Sequence, residues 1–115
     1  MVSSRPKQRI LDIVANIERI EAFTSQLSRA EYEADLRTVL AVERCLLIIS
    51  EAAVKLGSEA ESLMPKMPWE DIRGIGNQLR HGYDRLDADT LWSTIERDLQ
   101  PLHAACLQAI KTTKF

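Results

Sequence analysis

Histidine and cysteine are scarce in this 115-residue sequence, with two of each. Cys45 and Cys106 lie far apart in apolar stretches, without the close spacing of metal or redox pairs, and are expected as plain buried thiols. His81 and His103 are also distant, which argues against a protein-held zinc site. No metal and no cofactor is expected. There is no apolar run of about 18 residues, and "MVSSRPKQRI" lacks the apolar core of a secretory signal, so no membrane contact is expected and the cytoplasm is the expected location. Strand-like alternation, internal repeats and low-complexity segments are absent too. Nor does one sign of charge prevail: 15 Lys and Arg face 17 Asp and Glu, a formal net charge of −2. Bulk charge therefore does not advertise nucleic acid. RNA binding would need a local patch, and Arg73, Arg80 and Arg85 form the cluster that coincides with other chemistry.

What is present is a folded, mixed-surface composition, 45% apolar and 28% charged. Residues 1–115 fit a single domain, which at this size buries roughly 65% of the surface its unfolded chain exposes. Ile10, Ile13, Ile17 and Ile20 recur at helical spacing and predict a first helix over about 6–25. "SRAE" is a capping box, with Ser28 accepting from the Glu31 N–H while the Glu31 carboxylate reaches back, and a second helix is expected from there to about Gly57. Its "CLLIIS" stretch suggests the most buried helix. Ser58 and Glu61 repeat the box pattern for a short helix ending near Met64. Pro68, acceptable in a first turn, opens a helix over about 68–81 with Glu70 and Asp71 at its start. Gly82 should close it and Asp87 should cap the last helix. Leu91, Ile95, Leu99, Leu102, Cys106 and Ile110 form that helix's stripe, and Pro101 should bend it, because its ring meets the carbonyl of Arg97. These elements make an all-α, up-and-down bundle of four main helices plus a short one.

The chemistry concentrates in "RGIGNQLRHGYDR", residues 73–85. His81 can take and give a proton near neutral pH. Residues 73, 77 and 81 are spaced by four, so Arg73, Asn77 and His81 form a slowly turning row on one helical face, with Tyr83 just beyond. A histidine at a helix C-terminus is also explained as a favourable charge at the negative end of the dipole. "GIGNQL" is no phosphate loop, since Leu79 stands where the third glycine belongs and no strand precedes it.

The run "PWEDIRGIGNQLRHGYDRLDADTLW" resembles the signature of the HepT family, a branch of the HEPN helical domains that act as toxins in toxin–antitoxin modules. "IISEAAVKLG", "MPKMPW" and "DLQPL" resemble its second helix, proline turn and bent last helix, so the likeness spans about residues 9–110. The resemblance implies an HEPN-like fold and a homodimer whose motif helices face each other across a positively charged cleft. It implies metal-independent RNA cleavage, His81 being acid or base at the ribose 2′-hydroxyl and an arginine stabilising charge on the phosphate. It also implies an MntA-like minimal nucleotidyltransferase as antitoxin, which adds AMP units at the position of Tyr83 in a type VII module.

The sequence departs from the family motif at one place: Asn77, His81 and Tyr83 stand where expected, but the arginine position is Gly76. Losing one preorganised donor to developing negative charge typically costs on the order of 100 to 1,000-fold in rate. Arg80, beside His81, and Arg73, one turn before Asn77, are the candidates for a displaced cation. Two further functions compete with an RNase toxin: a catalytically silent binding or regulatory subunit of the nucleotidyltransferase, and a purely structural dimer. Gly74 and Gly76 each weaken a helix interior, which suggests close backbone approach, a tight contact at the dimer axis being the preferred reason. Tyr83 reads as a nucleotidylation acceptor or as a turn residue packed on the bundle. Glu51 has an interface or pairing role open to it, His103 is expected on the exposed side of the last helix, and Trp69 and Trp92 are expected as core or interface aromatics.

Overall fold

The structure, a computed structural model, describes residues 5–81 and 88–115. Helix α1 spans Pro6–Thr24, with proline in its first turn. Its stripe Ile10, Ile13, Ile17 and Ile20 is fully buried. The Ser28 and Glu31 capping box then forms as the sequence predicts: the Glu31 N–H donates to Ser28 Oγ at 3.2 Å and the Ser28 N–H to Glu31 Oε1 at 2.9 Å.

The long second helix is in fact two. Helix α2 covers only Arg29–Ala34, and α3 runs over Leu36–Leu56. The break falls at Asp35, which takes an extended conformation and caps α3 by accepting from the Thr38 hydroxyl at 2.8 Å and the Thr38 N–H at 3.4 Å. A short acceptor side chain competes with the helical backbone in this way. Helix α3 is the centre of the bundle, packing on α1 along one side and on helix α5, Trp69–His81, along another. The "CLLIIS" stretch is buried or half-buried throughout, while the helix around it has an exposed side. Val42, Leu46, Ile49 and Ala53 face the core, while Leu36, Leu40 and Val54 lie exposed.

Gly57 ends α3 with φ of 58°, the left-handed conformation that suits glycine. Helix α4, Ser58–Leu63, follows directly with Gly57 in its cap position and no side-chain cap. The second capping box therefore does not form, because Glu61 is drawn instead to Arg73. Buried Trp69 fixes the start of α5, its indole N–H donating to the Met64 carbonyl at 2.8 Å.

The last stretch comprises α6 (Ala88–Ser93), a π-helical turn over Thr94–Asp98, and α7 (Leu99–Thr112). The expected disturbance at Pro101 appears just upstream of it, where the Leu99 N–H reaches back to the Thr94 carbonyl. Widening the helix there is one way to relieve a proline ring pressing on the preceding turn. Helix α7 packs on α1. His103 is not on a free face: its Nε2 lies 2.9 Å from Glu18 of α1, and Gln100 bonds Glu21 beside it. Cys45 and Cys106 are buried free thiols, as expected, and burial pushes the Cys106 thiol up to about 12. Trp92 stacks obliquely on Tyr32 with ring centroids 5.3 Å apart, joining α6 to α2. No helix among the described residues is long and apolar enough to cross a membrane.

Candidate functional site

Helix α5 is amphipathic in a specific sense: Trp69, Ile72 and Gly76 are buried, whereas Asn77, Arg80 and His81 are exposed. Asn77 and Arg80 are three apart and Asn77 and His81 four apart, spacings that make side chains neighbours on a helix surface. The structure thus gathers an amide, a cation and an imidazole on the last two turns of α5. The expectations for Gly82, Tyr83, Arg85 and Asp87 fall outside the described residues.

Arg73 stands apart from that group, although its sequence spacing put it on the same row. Its guanidinium turns toward the end of α3, where it grips Glu61 through two bonds of 2.8 and 2.7 Å. It also donates to the Gly57 carbonyl at 2.9 Å and the Ala53 carbonyl at 3.3 Å. Four hydrogen bonds make Arg73 a clamp at the C-terminal end of α3, adding a charged donor to carbonyls that also accept from the Gly57 and Ala60 N–H groups. Bonding to Arg73 holds the Glu61 carboxyl below its ordinary range, and bonding to Glu61 raises Arg73 in turn. The place of Arg73 is structural, and it is not spare to meet a phosphate beside His81.

Gly76, where the family motif has arginine, owes its identity to Ser50 on α3. Ser50 is buried, and its hydroxyl is used in both directions: it donates to the Arg73 carbonyl at 2.8 Å and accepts from the Gly76 N–H at 2.9 Å. A Cβ on residue 76 would lie 2.8 Å from Ser50 Cβ and closer still to its Oγ. No side chain fits unless a helix moves. The close approach expected of the glycines is met at Gly76 by an α3–α5 contact within the chain. Gly74 differs, since a Cβ there would meet nothing within 4 Å.

Arg80 returns over this notch. Its Nη1 lies 3.4 Å from the point a Gly76 Cβ would occupy and 3.9 Å from Glu51 Oε1. The Glu51 pair is long and solvent-exposed, and a pair of this kind is worth little as stability. Sequence reasoning offered Arg80 and Arg73 side by side. What it missed was Ser50, whose only signal was a small polar residue inside the otherwise apolar "CLLIIS".

Residues 13–109 match the family described as ribonuclease HepT-like. The chain belongs to the HepT-like family. A protein of Thermococcus cleftensis named "Probable ribonuclease HepT" is 33% identical over 96 residues, which are 84% of this chain and 87% of that one. A protein of Methanocaldococcus jannaschii named "Putative RNase MJ0125" is 27% identical over 105 residues, 91% of this chain and 90% of that one. No solved structure matches. HepT-like membership agrees with the helical fold.

Proposed function

We propose that this HepT-like chain is a ribonuclease of the toxin type, with His81 as acid/base, Asn77 orienting it or the phosphate, and Arg80 as the cation. The observation that carries the reading is the Arg80 guanidinium lying over the notch at Gly76, beside exposed Asn77 and His81. In the reaction His81 takes the proton of a ribose 2′-hydroxyl, and the 2′ oxygen attacks the adjacent phosphorus. The bond to the 5′ oxygen breaks, and that oxygen leaves with a proton returned by the imidazolium or by water. Arg80 faces the charge that builds on the phosphate oxygens, and a guanidinium suits this role by its fork of donors. None of these steps routes through a metal, so cleavage is expected to persist in a chelator.

A homodimer is part of the reading, and the outward face of α3 supports it. Leu36, Leu40 and Val54, exposed at 59, 56 and 52%, fall with half-buried Leu47 on one side of the helix. That face is self-complementary about Leu47. In an antiparallel pairing about Leu47, Leu40 meets Val54 of a second copy, the isologous pattern of a two-fold dimer. Because Glu51 on α3 neighbours Arg80, a dimer through this face would have its two sites beside the seam.

The regulatory part concerns Tyr83. Nucleotidylation by an MntA-like partner, in a type VII toxin–antitoxin module, would add anionic phosphates three residues along the chain from Arg80 and repel RNA. A second reading is favoured by Gly76: with no cation rooted at the family position, the chain serves as a silent binding or regulatory subunit of that nucleotidyltransferase. Incubating the purified protein with diverse RNAs separates the two. Degradation that His81→Ala abolishes supports the ribonuclease; an inert folded dimer that still binds the nucleotidyltransferase supports the silent subunit.

A further inference from the structure

We infer that Ser50 decides where the cation of this site is rooted, an inference that rests on the ribonuclease reading for its functional half. Ser50 fills the space that a side chain at residue 76 needs, and its hydroxyl binds both the Arg73 carbonyl and the Gly76 N–H. The α3–α5 distance is thus set by a serine packed on a glycine. A guanidinium can reach the notch only from a residue whose own Cβ lies outside the contact, and Arg80, one turn later, meets that condition. Positions 50, 76 and 80 act as a unit: serine with glycine and a cation at 80, or a side-chain-free residue at 50 with a cation at 76. Alanine at 50 would not suffice, because the 2.8 Å conflict is with the Ser50 Cβ itself. Ser50 is a positioning residue, touching α5 and never the RNA.

Two sets of variants test the unit, the first without any activity. Alanine is intrinsically the better helix former, so Gly76→Ala should stabilise an unconstrained helix. Beside Ser50 it is expected to lower the melting temperature, and in a Ser50→Gly background the same change is expected to raise it. A Gly76→Ala protein at least as stable as the wild type overturns the inference. The second set moves the cation. Arg80→Gln is expected to lower RNA cleavage on the order of 100-fold. Adding Ser50→Gly and Gly76→Arg to it should recover at least about tenfold of that rate, while Gly76→Arg added without Ser50→Gly should recover nothing. Absence of recovery in the triple variant, once its fold is verified by circular dichroism, overturns the placement of the cation. If the wild type does not cleave RNA, the ribonuclease reading falls and the variants are compared for binding of a fluorescent single-stranded RNA at low salt. Binding lost in Arg80→Gln and regained in the triple variant then supports the inference; binding by none of them overturns it.

Discussion

Two arginines seven residues apart have unlike fates. Arg73 is engaged by Glu61 and by the Ala53 and Gly57 carbonyls at the end of α3, whereas Arg80 lies 3.9 Å from the Glu51 carboxylate. Hydrogen bonds of a charged donor to carbonyls contribute about 1–3 kcal/mol, so Arg73→Ala is expected to lower the free energy of unfolding by about that much in a urea titration. Arg80→Gln is expected to change it by less than about 0.5 kcal/mol, as surface substitutions do, while removing most RNA cleavage. An Arg80→Gln protein that unfolds early would mean that its role is structural. At this scale the sequence was legible for Asn77 and His81, whose spacing alone places them together. It offered Arg73 as a displaced cation and did not show its partners, which lie 12 to 20 residues earlier, since a long side chain pivots toward whichever acceptors the fold brings near. It also said nothing of the fit between Ser50 and Gly76, which exists only after two helices meet.

Helices were legible wherever apolar periodicity and caps agreed. The stripe of α1, the box at Ser28, the turn at Gly57 and the start of α5 all follow from local chemistry. Two details did not. Apolar periodicity carries across Asp35, so one helix was expected where the aspartate caps α3 and stops α2. The box at Ser58 lost to the tertiary pull of Arg73 on Glu61. That pull has a pH signature. The Glu61 carboxyl is lowered from its ordinary 4.5 by bonding to Arg73, so its contribution is fully present above 4.5 and is lost as pH falls through the lower, folded value. Glu61→Gln is therefore expected to unfold at lower urea than the wild type at pH 7, with the gap closing in acid below 4.5. A gap that stays constant from pH 7 to pH 3 would show that Glu61 acts through something other than its charge.

At the scale of the whole molecule, the bundle presents exposed apolar residues, Leu36, Leu40 and Val54, along one face of α3, which packs on α5. Burying Leu40 and Val54 against a second copy removes apolar surface from water, the usual drive for association. Leu40→Glu with Val54→Glu is expected to leave the monomer folded, since both side chains are exposed in it, and to shift sedimentation from dimer to monomer with loss of cleavage. A double variant that still sediments as a dimer would place the interface elsewhere. The all-α bundle and the family were legible from "RGIGNQLRHGYDR" and its flanks; the choice between Arg80 and Arg73 was not, because Gly76 erases the residue that usually marks the place. The decisive measurement is cleavage of a mixed RNA pool by wild type, His81→Ala and Arg80→Gln in the presence of EDTA. Chelator-resistant cleavage by the wild type, abolished by His81→Ala and reduced on the order of 100-fold by Arg80→Gln, is the predicted result. Full activity in Arg80→Gln, or cleavage that survives His81→Ala, would contradict it.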